Sequence, residues 1–209
     1  MTYIKWTFWI VIWALLAAFL HYTLPQRDIV RIVGTENRRI DFGENSIFWA
    51  APDSGTAVNA VNRDVFFIQA VRANGRPMVY RNEDTGSGWP PYFKFDTANL
   101  QTEAEDSVST AAAPRWFAVR HYGWRNEFLT IYPNAVSITP VDGPDVTLIP
   151  WFNIVFLTLL LALVWGVTVR WRRFKERRIT PAIDRMDMAV DERRAGVSRW
   201  LGTWRKKPR

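Results

Sequence analysis

Two stretches without a single formal charge, residues 6–24 and 146–169, bracket the middle of this chain. As helices rising 1.5 Å per residue they reach ~28 Å and ~36 Å, against a bilayer hydrocarbon core of about 30 Å. Transmembrane helices are therefore predicted at residues 6–24 and 149–169, and residues 25–148 form a domain held between them. Trp6, Trp9 and Trp13 crowd one end of the first stretch, while Trp151 and Trp171 bracket the second. Tryptophan favours membrane interfaces because its ring is apolar and its N–H needs a polar partner. Lys5 is a weak basic start, and Ala17-Ala18-Phe19-Leu20-His21-Tyr22 offers no small-x-small cleavage site. The first stretch is expected to stay as an anchor.

Charge sets the expected orientation. The net charge of +7 is unevenly spread. Residues 25–150 hold 12 Lys/Arg and 15 Asp/Glu, whereas residues 170–209 hold 14 and 5. A nucleic-acid-binding protein would carry its basic excess on the folded domain. Here the excess follows a span, beginning with six basic residues in 170–178. The positive-inside rule places that tail in the cytoplasm and, with two spans, residues 1–5 beside it. The expected arrangement is a membrane protein with both termini cytoplasmic and residues 25–148 on the far side, periplasmic if the cell is bacterial. The expected partners are the lipid bilayer and a membrane protein or a second copy of the chain, with no nucleic acid.

Past Pro25 the pattern turns to strand. Residues 28–33 are rich in β-branched side chains, and 38–42 continue with mixed polar and apolar positions. Residues 43–63 read as a long loop around an apolar knot at Ile47 to Trp49. Asn74-Gly75 between Val65-Phe66-Phe67-Ile68 and Pro77-Met78-Val79-Tyr80 predicts a type I′ hairpin. Further strands are expected at 92–95, 116–122, 127–132 and 135–141. Residues 97–106 suit one or two helical turns capped by Asp96 or Thr97, and 107–114 suit a connector. Seven or eight short strands indicate a membrane-anchored all-β (or β-rich α+β) protein, with two transmembrane helices flanking a small antiparallel sandwich or partly closed barrel.

The chemistry is sparse. There is no cysteine, which excludes disulfides, thiolate catalysis and Cys-based zinc sites. The two histidines, His21 and His121, lie far apart in sequence, so no metal site, cofactor or catalytic residue is expected. Glu83, Asp84 and Asp96 flank a Gly- and Pro-rich loop. A carboxylate pair there would suit glycoside chemistry, but turn-forming roles account for these residues equally well. The more promising set joins aromatic and charged side chains near strand ends: Arg81, Glu83, Asp84, Trp89, Tyr92, Lys94, Asp96, His121, Trp124 and Arg125. Such a set can form a surface for a partner or ligand.

In the tail, Thr180-Pro181 is a helix start. After Gly196, Val197, Trp200, Leu201 and Trp204 recur at helical spacing among cations that include Lys206 and Lys207. This reads as a basic amphipathic helix on the anionic inner leaflet.

The stretches Val79-Tyr80-Arg81-Asn82-Glu83-Asp84-Thr85, Tyr92-Phe93-Lys94-Phe95-Asp96-Thr97-Ala98-Asn99-Leu100-Gln101 and His121-Tyr122-Gly123-Trp124-Arg125 resemble an uncharacterised family of bacterial inner-membrane proteins, a domain of unknown function. The resemblance covers roughly residues 10–165. It implies a bacterial membrane setting and no particular activity. The expected function is a non-enzymatic accessory, scaffold or interaction module for a membrane partner. The alternative is a periplasmic enzyme or glycan-binding module acting on envelope material.

Overall fold

The computed structural model describes residues 2–41 and 62–205. The apolar knot at 47–49 lies outside the described residues. The chain divides into two compact units, Met1–Asn153 and Ile154–Arg209.

The first unit opens with α1, Thr2–Thr23, which is long and apolar enough to cross a membrane over Tyr3–Thr23. Pro25 stops the helix, and β1 (Gln26–Asp41) begins at the next residue. β2 (Asn62–Arg72), β3 (Pro77–Asn82), α2 (Thr97–Asp106), β4 (Trp116–Tyr122) and β5 (Asn134–Val141) come next along the chain. The strands close into a barrel in the order β1-β2-β3-β5-β4. Every pairing is antiparallel except that of β3 with β5, made at Arg81 and Asn134. This strand order, with a helix between the third and fourth strands, is the connectivity of the OB-fold.

β1 makes closure possible by serving two neighbours. Residues Gln26 to Val30 pair with β4, and Val30 to Asp41 pair with β2. A bulge between Ile32 and Gly34 bends the strand from one partner toward the other. The interior obeys the two-residue period of strands: Val30 and Ile32, Ile68 and Ala70, Met78 and Tyr80, Phe117 and Val119 all enter one core. Leu100 and Ala104 of α2 complete it. Asp96 caps α2, its carboxylate accepting from the Asn99 amide at 3.1 Å.

Several expectations need correction. The barrel has five strands among the described residues, not seven or eight, and 28–33 and 38–41 fall within one long strand, residue 42 lying outside the described residues. Residues 92–95 form no ladder, and 127–132 form a turn with a single bridge, Asn126 to Ile131. The Asn74-Gly75 hairpin exists, but only Gly75 takes a positive φ, +79°. Gly75 N–H donates to Arg72 O at 2.8 Å, so the loop is a tight turn ending on a left-handed glycine rather than type I′.

The second unit begins three residues into α3 (Trp151–Phe174), which passes through a π-helical turn at Lys175–Ile179 into α4 (Thr180–Arg205). Trp151–Ile179 is long and apolar enough to cross a membrane. The expected helix start at Thr180 is not one: Thr180 is itself helical (φ −56°, ψ −50°), its hydroxyl donates back to Lys175 O at 3.3 Å instead of capping, and α4 continues the preceding turn and runs through Gly196 without a break. Val197 and Trp200 are exposed on it, while Lys206 and Lys207 lie outside the described residues.

β3 and β5 share a single ladder pair, Arg81 with Asn134, and a side chain extends that seam. Asn134 Oδ1 accepts from Glu83 N at 3.0 Å, and its Nδ2 donates to Glu83 O at 3.0 Å and Tyr122 Oη at 3.1 Å. The amide imitates the next rung of a strand ladder. Asn134→Ala should therefore cost roughly 2–4 kcal/mol, since it leaves buried backbone groups unpaired. Urea unfolding of the detergent-solubilised chain measures it, and a loss below about 0.5 kcal/mol would mean the seam does not depend on this side chain.

Candidate functional site

The end of a helix leaves four carbonyl groups without partners. In α1 these belong to Leu20, His21, Tyr22 and Thr23, and all four are satisfied by groups beyond the helix. Leu24 N donates to Leu20 O at 2.8 Å, and Gln26 Nε2 to His21 O at 2.8 Å. Gly123 N, just beyond β4, donates to Tyr22 O at 2.9 Å. Tyr92 Oη, from the segment between β3 and α2, donates to Thr23 O at 2.7 Å. The barrel is the C-terminal cap of the helix.

Aromatic contacts widen the junction. Trp124 Nε1 donates to His21 Nδ1 at 2.9 Å, and the Trp124 ring meets Tyr22 edge-on. Tyr92 stacks on Tyr122 with ring centroids 4.7 Å apart. Trp89 lies flat against Phe19, one turn back along α1, at 5.6 Å and an interplanar angle of 10°. Gly123 adopts φ +90°, and a Cβ there would stand 3.4 Å from the Pro133 backbone. That contact is an ordinary one, so it is the left-handed backbone, which side chains rarely accept, that explains the glycine between Tyr122 and Trp124.

Behind the junction lies a buried polar layer. Arg81 Nη1 is 3.1 Å from Glu83 Oε2, and both side chains are more than nine-tenths buried. Lys94 Nζ donates to Ala135 O at 2.8 Å and to Asn82 Oδ1. Asn82 Nδ2 in turn donates to Gln101 Oε1 at 3.1 Å and to Thr97 O at 3.0 Å. Burial pulls the Lys94 pKa down to about 7, although Asp84 and Glu83 pull the other way. Burial raises the Tyr92 hydroxyl, as does the neighbouring Tyr122, while the charge of Arg120 opposes them.

A second cluster gathers around Asp28. Its Oδ2 accepts from Tyr80 Oη at 2.7 Å and Arg72 Nη2 at 2.8 Å, with His121 Nε2 at 3.2 Å. Burial alone would raise the Asp28 pKa, but His121, Tyr80 and Arg72 outweigh it and hold the carboxyl well below its usual range. This cluster ties β1, β2, β3 and β4 together across the barrel.

The residues singled out from sequence do not form one exposed surface. Arg81, Glu83, Lys94 and His121 are buried, His121 in the Asp28 cluster and the other three near the helix junction. Charged side chains read as surface because they are seldom buried unless paired or hydrogen-bonded, as they are here. Asp84 accepts from Thr97 N at 2.9 Å and Asp96 caps α2, so both carboxylates serve the start of that helix. Arg125 lies over the Tyr132 ring at 4.5 Å and donates to Ile131 O at 3.1 Å. Trp89, Tyr92 and Trp124 hold α1. Sequence reasoning missed Tyr22, Gln101 and Asn134, which have no distinguishing pattern. It also missed Asp28, whose signal was a lone carboxylate inside a β-branched run. No group of three or more potential metal-ligating side chains occurs among the described residues.

A family model described as protein of unknown function (DUF1523) matches residues 1–175, which take in α1, the barrel and α3. A protein of Haemophilus influenzae described as uncharacterised is 36% identical over 147 residues, covering 69% of this chain and 79% of the relative. No solved structure matches the chain.

Lys94 generates a pH prediction. Its folded pKa lies below the unfolded value, so between about pH 7 and 10 the unfolded chain binds the extra proton. Stability should then rise with pH through that window, by at most about 1.4 kcal/mol per unit. Lys94→Met should flatten the rise between pH 7 and 9, as read by urea midpoints in detergent. An unchanged slope in the variant would assign the proton elsewhere.

Proposed function

The chain belongs to the family described as protein of unknown function (DUF1523), and we propose that it is a non-enzymatic two-pass protein of the bacterial inner membrane. α1 and the Trp151–Ile179 helix span the bilayer, both termini are cytoplasmic, and the barrel stands in the periplasm as an accessory or scaffold module for a membrane partner. One observation carries this reading: the barrel supplies the partners for the last carbonyls of its own apolar helix. Such a cap fixes the domain at the helix end, where a module serving another membrane protein has to be. The run of Arg and Lys from Arg170 to Arg178 supports the orientation. In the second unit Arg170, Arg173, Arg177 and Arg178 line an open hollow beside Trp165 and Phe174, a composition suited to inner-leaflet headgroups. The fold by itself assigns no activity, because OB-type barrels serve many.

The three carboxylates singled out as acid–base candidates are occupied: Glu83 lies beside Arg81, while Asp84 and Asp96 hold the start of α2. This favours the scaffold reading. Reporter fusions after Asp53 and after Arg209 should show periplasmic activity at the first and cytoplasmic activity at the second. Mild-detergent purification of the tagged full chain should bring down one membrane protein, or a second copy, in fixed proportion. Periplasmic activity at Arg209 would overturn the topology. A chain that purifies alone and hydrolyses or binds glycan fragments would overturn the scaffold role.

A further inference from the structure

The relation of Trp89 to α1 locates the barrel relative to lipid. Thr23 ends the helix, and Phe19 lies four residues back, ~6 Å toward the bilayer centre at 1.5 Å per residue. Trp89 stacks on Phe19 yet remains 66% exposed. The segment between β3 and α2 thus reaches below the helix end and leaves an indole uncovered beside the span. The headgroup zone on each face of a bilayer is about 5–7 Å thick, so a side chain at this level meets lipid. Phe93 is 62% exposed on the same segment and holds φ +51°, a conformation bulky residues rarely accept. Its neighbours explain the strain: Tyr92 is fixed to Thr23 and Lys94 is drawn inside, which leaves Phe93 turned outward.

Two arginines stand at the same end. Arg27 comes four residues after Thr23, and its cross-strand partner is Arg120. Both lie outside the buried core, and neither has an acidic partner among the described residues. Like charges directly opposite on a barrel face are unfavourable unless something anionic lies between or near them. Arg120 is close enough to Tyr92 to act on its hydroxyl, so the pair adjoins the Trp89 segment. An arginine side chain can lay its stem on apolar surface and present its guanidinium to a phosphate.

We propose that the helix-capping end of the barrel is a lipid-binding face, with Trp89 and Phe93 in the outer headgroup layer and Arg27 with Arg120 holding the phosphate of an anionic phospholipid. The occupant is lipid because the face continues directly from a helix of spanning length. The inference rests on the two-pass reading above.

The absence of cysteine allows a clean test in the full chain reconstituted into vesicles. An environment-sensitive fluorophore is placed at Ser87→Cys, beside Trp89, or at Ala112→Cys, in the connector entering β4 at the end opposite Tyr122. The Ser87 label should be quenched severalfold more strongly by nitroxide lipids labelled high on the acyl chain, and the Ala112 label hardly at all. Nitroxide-labelled phosphatidylglycerol should quench it more than labelled phosphatidylcholine. The Arg27→Gln/Arg120→Gln double variant should lose that preference while keeping the phosphatidylcholine signal. Equal, weak quenching at Ser87 and Ala112 would overturn the lipid face and would leave the exposed aromatics to a protein partner. A preference that survives the double variant would overturn the role of the arginines, and one abolished by inorganic phosphate would make the pair a general anion site. Failure of the two-pass reading shows separately. An impermeant reductant should bleach complementary fractions of Ala112→Cys and Gly196→Cys labels if they lie on opposite sides, and equal fractions if they do not.

Discussion

Four carbonyl groups at the end of α1 constrain the rest of the molecule. A helix whose end is covered by other groups cannot leave them bare, because each buried unpaired group costs free energy. Here the chain itself satisfies them, from Leu24, Gln26, Gly123 and Tyr92. Gly123 and Tyr92 belong to segments about a hundred and about seventy residues further along, so the cap forms only when the barrel has closed. Only Leu24 and Pro25 separate α1 from β1, which leaves no linker to let the domain swing. The helix, the first strand and the two long connections are therefore parts of one object.

The polar interior results from that arrangement. Segments that must reach the helix end carry polar groups past the closed side of the barrel, and those groups need partners once water is excluded. Asn134 completes the β3–β5 seam, Asn82 joins Lys94 to Gln101, and Arg81 lies beside Glu83. The apolar core inside the strands is small, as expected for a barrel of this size. The hydrogen-bonded layer is what connects it to the helix.

Much of this was legible in the sequence. The charge-free stretches marked both apolar helices, residues 116–122 coincide with β4, and Asp96 caps α2 as its position before Thr97 suggests. The length of β1 was obscured because the bulge at Ile32 to Gly34 breaks the alternation that would show one strand. Residues 92–95 misled for a different reason. Tyr92 and Lys94 turn inward while Phe93 and Phe95 are exposed, which is the period of a strand. Their inward partners are a helix carbonyl and a barrel carbonyl instead of a ladder, and no local pattern distinguishes the two. Arg81 and Lys94 read as surface because burial of a charge depends on distant partners such as Asn82 and Ala135.

The central claim is that α1 and the barrel move as one body. Pulsed electron-electron distance measurement on the full chain in lipid nanodiscs tests it most directly, with nitroxides at Thr7→Cys on α1 and Ala112→Cys on the barrel. The cap predicts a single narrow distance distribution, which broadens when Tyr92→Phe and Trp124→Phe are added and the Thr23 carbonyl and His21 ring lose their donors. A broad distribution in the otherwise unaltered chain, unchanged by those two substitutions, would contradict the account.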